Sequence, residues 1–185
     1  MLDRLSRYYF NKALKNAKEG MISAAIEDLR KSLGCKRSNT DAWKLTGLCF
    51  YRLGRLAAAE YCWKRCLYYG ETDAAIEEYI KDVRMTAEKV MPYTEEVFMM
   101  SLKKKYKKAS AVFGKKVMPA LKSQADAFNY LGILHMLSGH KRRALKEWKK
   151  ALQLDCSGAS AVQYMTCIGY NGKIKGRGLL QKTFR

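Results

Sequence analysis

Few residues in this chain have the type and spacing to do chemistry. Cys62 and Cys66 stand four apart, which puts both sulfurs on one helical face, a geometry that could ligate a soft metal. No C-x2-C and no nearby His completes four ligands, so packing is the expected role and no metal is expected. The two histidines are His135 and His140. Catalysis needs a nucleophile, an acid or base, and a group that orients them. Neither histidine has such company in the sequence. Gly172 to Gly178 imitates a glycine-rich loop, but it has neither G-x-G-x-x-G nor G-x4-G-K-[ST] spacing and follows no strand, so no nucleotide cradle is expected. These residues predict a non-enzyme without a cofactor.

Charge supplies the other chemistry. The formal net charge is +19, from 36 Lys and Arg against 17 Asp and Glu. No acid lies between Glu96 and Asp126 or after Asp155. The first stretch holds Lys103, Lys104, Lys105, Lys107, Lys108, Lys115, Lys116 and Lys122, and the second holds Lys173, Lys175, Arg177, Lys182 and Arg185. With Tyr106 and Phe113 interleaved, Lys103 to Lys116 could neutralise the phosphates of nucleic acid or an anionic membrane surface. Phe98, Leu102, Tyr106, Ala109, Phe113 and Val117 recur at three- and four-residue steps, so the segment is also amphipathic, a stripe more often core than membrane-bound. Glu71 to Glu96 is acidic by contrast, with eight acids against Lys81, Arg84 and Lys89. The plainer expectation is that the lysines face this acidic helix or solvent.

The elements that must position these groups are helical. A chain of 185 residues with 48% hydrophobic residues can bury roughly 70% of its unfolded surface, which excludes wholesale disorder and any need for covalent staples. Cys35, Cys49, Cys62, Cys66, Cys156 and Cys167 therefore read as free thiols, with the loop residues Cys35 and Cys156 reacting first. Only two Pro, no strand-like alternation and apolar spacings of three and four predict an all-α fold. No apolar run approaches the ~20 residues of a bilayer span, and the opening Met1-Leu2-Asp3-Arg4 lacks a basic-then-apolar signal. A cytoplasmic protein is expected.

Three stretches align at offsets of 34 residues or a near multiple when anchored on Gly20, Gly54 and Gly139. The clearest reads Phe128-x2-Leu131-Gly132-x2-His135-x3-Gly139-x4-Ala144-x3-Trp148-x2-Ala151. The second reads Trp43-x2-Thr46-Gly47-x2-Phe50-x3-Gly54-x4-Ala59-x3-Trp63-x2-Cys66, and the weaker first keeps Tyr9, Ala13, Gly20 and Ala25. Gly47 and Gly132 fall inside helices, where glycine costs about 1 kcal/mol against alanine, so another helix should cross closely there. Gly20, Gly54 and Gly139 should end each first helix. These units resemble the tetratricopeptide repeat, and the chain looks similar to small bacterial cytoplasmic members of that family. The expected domain is 1–168, a short α-solenoid with repeats near 6–39, 40–73 and 125–158. Residues 74–124 form degenerate helices, one of them ending before Pro92, and a closing helix spans Ala159 to Cys167. A flexible basic tail is expected over 169–185.

The resemblance implies a concave groove, lined by the first helix of each repeat, that holds a segment of another protein. Its expected lining is Arg7, Phe10, Leu14 and Lys18, then Lys44, Leu48, Tyr51 and Arg52, then Asn129, Ile133 and Met136. The carboxylate clamp of some chaperone-binding relatives is absent: Phe10 and Leu14, Leu45, and Asp126 and Tyr130 occupy its places. The expected partner is therefore a protein offering an acidic or amphipathic segment to a monomer or weak dimer. The rival is a nucleic-acid or anionic-surface module acting through the lysine-rich segment and the tail.

Overall fold

A computed structural model describes residues 1–170. The glycine-rich stretch 172–178 and the basic residues of the tail lie outside the described residues. Within them every regular element is helical: α1 (Leu2–Lys18), α2 (Ile22–Cys35), α3 (Thr40–Leu53), α4 (Leu56–Tyr68), α5 (Ala74–Leu102), α6 (Tyr106–Val112), a π-helical turn (Phe113–Val117), α7 (Ala125–Leu137), α8 (Lys141–Leu154) and α9 (Ala159–Cys167). The chain divides into two compact units, Met1–Pro92 and the remainder from Tyr93.

The three anchoring glycines end their helices as their type requires. Gly20, Gly54 and Gly139 all have left-handed φ, at 76°, 94° and 82°, a region that a side chain enters only with strain. Past each of them the same backbone bond closes the helix: Met21 N–H donates to the Asn16 carbonyl at 2.9 Å, Arg55 N–H to Phe50 at 2.9 Å, and His140 N–H to His135 at 2.8 Å. The sequence repeat is thus a repeat of hydrogen bonds. At the other end of α3 the Asn39 side chain accepts from the Ala42 N–H at 3.1 Å, capping an otherwise unpaired donor.

In the first unit α1 packs on α2, α2 on α3, and α3 on α4. Ala13, Ala25 and Leu29 are fully buried between the first pair. The core then continues through Ala59, Trp63 and Cys66 to Ile76, Ile80 and Val83 of α5. A small polar residue ties each second helix to the start of its first: Ser32 Oγ donates to the Ser6 carbonyl at 2.8 Å, and Cys66 Sγ to the Thr40 carbonyl at 3.5 Å. Asp28, buried in α2, accepts from Lys12 Nζ at 3.0 Å and Asn16 Nδ2 at 2.8 Å, so its charge is paired where water is scarce.

In the second unit α6 packs on α7, α7 on α8, and α8 on α9. Phe128, Ala144, Trp148, Ala151, Ala161 and Met165 form its core. The expected closing helix is α9, whose Ala161 and Met165 cover the apolar face of α8.

One expectation fails here. The helix expected to end before Pro92 continues through it to Leu102. Pro92 removes one backbone bond, that to Glu88, but both residues are exposed, so water can satisfy the freed carbonyl. Val90 and Val97 anchor the helix on either side of the break. Beyond it, three lysines form a turn before α6, and Gly114 sits inside the π-helical turn, where Met118 N–H reaches the Phe113 carbonyl at 3.0 Å.

Candidate functional site

The close crossings expected at Gly47 and Gly132 are made by indoles. A Cβ on Gly47 would overlap the Trp63 ring, and one on Gly132 the Trp148 ring. With the first helix stripped to backbone, each indole N–H reaches a carbonyl across the hairpin: Trp63 Nε1 donates to Lys44 O at 3.3 Å and Trp148 Nε1 to Asn129 O at 3.2 Å. Both carbonyls belong to residues expected to line the groove. The two units therefore hold their first helices with the same device, and the outward faces of those helices are the candidate site.

On the first unit's face, Arg7, Lys18 and Arg52 are exposed, Leu48 is exposed at 36%, and Phe10 and Leu14 are half-buried. Among the described residues none of these three cations is in an ion pair. Lys44 differs. Its ammonium lies 3.0 Å from Asp73 and 3.8 Å from Glu71. The hydrogen bond to Asp73 holds Lys44 above the usual lysine range against the opposing effect of burial, with Glu71 adding to it. The same bond holds the Asp73 carboxyl below the usual carboxylate range. Tyr51 is half-buried against the Trp63 ring at 6.2 Å and belongs to the core. Lys44 and Tyr51 thus brace the face more than they offer groups to a ligand.

On the second unit's first helix, α7, Asn129 is buried at 9% and its Oδ1 has no hydrogen-bond partner. Ile133 and Met136 are half-buried against the core. This face is apolar and lacks cations of its own.

Of the two surroundings expected for the lysine segment, an acidic helix or solvent, the lysines have solvent: Lys103, Lys104, Lys105, Lys107, Lys108, Lys115 and Lys116 are all exposed, and among the described residues none is in an ion pair. Two acids of the preceding acidic stretch, Glu71 and Asp73, hold Lys44 instead. The interleaved aromatics are partly or wholly covered. Phe113 is buried at 4% with its ring 5.1 Å from that of Tyr130, and Tyr106 is half-buried. Lys116 instead lies 5.6 Å over the ring of Tyr93.

All six cysteines are free. Burial pushes the Cys62 thiol up to about 12 and the Cys66 thiol to about 11, which suppresses the reactive thiolate. Cys35, expected in a loop, is the last residue of α2, and it and Cys156 are half-buried while Cys167 is exposed, so Cys167 should react first. Among the described residues no group of His, Cys, Asp or Glu is arranged to hold a metal, and no helix is long and apolar enough to cross a membrane. Sequence reasoning missed an aromatic nest around Arg65, whose guanidinium lies 4.6 Å from the Tyr68 ring, 4.9 Å from Tyr69 and 5.7 Å from Trp43. The spacing of Arg65, Tyr68 and Tyr69 along α4 was the signal available.

The described residues form helical hairpins, and in two of them, α3–α4 and α7–α8, an indole of the second helix is seated on a glycine of the first. The TPR domain of P58(IPK) aligns over 85% of this chain and 44% of its own, at 17% identity and a TM-score of 0.51. The chain has the tetratricopeptide-repeat fold. YrrB, described as a TPR protein with an unusual peptide-binding site, aligns over 85% of this chain and 90% of its own, at 16% identity and a TM-score of 0.42. A MamA fragment from Desulfovibrio magneticus RS-1 aligns over 91% of this chain and 85% of its own, also at 16% and 0.42. No protein-family model and no curated protein matches this tetratricopeptide-type chain in sequence.

Proposed function

We propose that this chain is a non-catalytic scaffold that binds an acidic segment of a partner protein on the face of α1 and α3. The observation that carries the reading is the exposure of Arg7 and Lys18 on α1 and, on α3, of Arg52 one helical turn from the exposed Leu48, on helices whose other sides are buried in the repeat core. Guanidinium groups recognise carboxylates in a fixed, bidentate geometry, and an apolar anchor among them supplies the desolvated centre that an interface needs. Lys44, already paired, would hold the loop after α4 in place beneath the ligand.

The test follows from which groups are free. Leu48→Ser with Arg52→Glu changes exposed side chains only, whereas changing Tyr51 or Lys44 would disturb the core or a salt bridge. Tagged protein is used to capture partners from lysate, with and without nuclease, at about 50 and 200 mM salt. The expected result is a protein partner that survives nuclease and higher salt and is lost with the double substitution. Recovery of nucleic acid alone, weakened by roughly 10³-fold across that salt range as several phosphate contacts demand, would replace the scaffold with a polyanion-binding module.

A further inference from the structure

We infer that the C-terminal end of α5 and the lysine turn after it form a docking site for an anionic lipid surface. The site uses no residue of the scaffold reading and stands apart from it. Phe98, Met99 and Leu102 are exposed at 58%, 51% and 62%. Phe98 and Leu102 are four residues apart and share one face of the helix, while Val97 on another face is fully buried. Lys103, Lys104 and Lys105 follow at once, and Lys107 and Lys108 open α6, all exposed. Apolar side chains long enough to enter the acyl boundary are thus followed along the chain by five exposed cations of the kind that attract headgroup phosphates.

The backbone adds an observation that folding alone does not account for. Lys105 N–H donates to the Met100 carbonyl at 2.9 Å, the same closing bond found after Gly20, Gly54 and Gly139. The residue in the glycine position of this closure is Lys104, with φ at 55°. It is the one non-glycine residue with positive φ among the described residues. A lysine there costs backbone strain that glycine would remove, so Lys104→Gly takes away one charge while easing the backbone.

Other polyanions fit less well. Of the aromatics interleaved with the lysines, Phe113 is buried and Tyr106 half-buried, which leaves Phe98 as the exposed ring of the site, where surfaces that hold single strands stack successive bases on several. An amphipathic partner helix is held in a groove between elements, whereas Phe98 and Leu102 stand well over half exposed on a single helix. Glu95 and Glu96, exposed one turn earlier, confine the lipid contact to the helix end.

The experiment is cosedimentation of the full chain with vesicles of phosphatidylcholine alone or with about a third phosphatidylserine. Binding to the anionic vesicles only is expected. Phe98→Ser with Leu102→Ser should lower that affinity tenfold or more, and Phe98→Leu should retain it. Lys104→Gly should lower it about fivefold, the worth of one lysine at such a surface, while raising the melting temperature. That pairing of opposite signs cannot come from misfolding. The proposal is overturned by no binding to anionic vesicles, or by binding indifferent to Phe98 and Leu102, which would assign it to the tail. Tighter binding of duplex DNA or of an acidic helical peptide through the same residues would overturn it as well.

Discussion

At the scale of single residues, Gly47 and Gly132 decide how closely the hairpins pack. Alanine is the better helix former by about 1 kcal/mol, yet its Cβ would occupy the space of the Trp63 or Trp148 indole. Overpacking costs about 1–3 kcal/mol, so Gly47→Ala and Gly132→Ala should each be destabilising in urea unfolding. The loss should shrink in a Trp63→Leu or Trp148→Leu background, because the clash is with the ring. If either alanine variant is more stable than wild type, the indole is free to withdraw and the crossing is not tight. A second residue-scale prediction concerns His135. Burial holds its pKa below the ordinary 6.5, with Arg143 and His140 acting the same way and Glu147 against. The unfolded chain then takes up the proton first, so stability present above pH 6.5 falls as pH drops toward the depressed folded value. His135→Gln should flatten the decline in melting temperature across that window, and an unchanged slope would place its origin elsewhere.

At the scale of the element, α5 carries the costliest local choice. A proline inside a helix costs about 3 kcal/mol in general, and Pro92 stands 18 residues after the first residue of this 29-residue helix, exposed to solvent. Since its ring supports no core contact at that exposed position, Pro92→Ala should raise the melting temperature, by an amount equivalent to about 1–3 kcal/mol. A fall would mean that the ring contributes to the packing of Val90 or Val97. The helix also shows why its sequence was misread. A proline is a sound stop signal where the freed carbonyl is buried, but nothing local reveals that Glu88 faces water.

At the scale of the whole molecule, each of the two compact units buries one tryptophan in its core. Hydrogen exchange should resolve them: Trp63→Ala should increase exchange chiefly within Met1–Pro92, and Trp148→Ala chiefly from Tyr93 onward, because repeat stability is largely a sum of local terms. Equal loss of protection everywhere in both variants would show one cooperative unit. How much of this was legible beforehand follows from the range of the interactions. The glycine closures, the hairpins and the all-α class were written in residue type at fixed spacing, because a left-handed turn admits few residues and a repeat states its own period. The crossing at Gly47 was legible too, since only a close neighbour makes a mid-helix glycine worthwhile. What Lys44 and the lysine run do was not. Lys44 meets Asp73 from 29 residues away, and Phe113 is core while Phe98 is exposed although both belong to one apolar stripe in sequence. Periodicity gives the face of a helix, but a turn at Lys103 to Lys105 restarts the phase. Which half of the stripe is covered depends on the neighbours that tertiary packing brings.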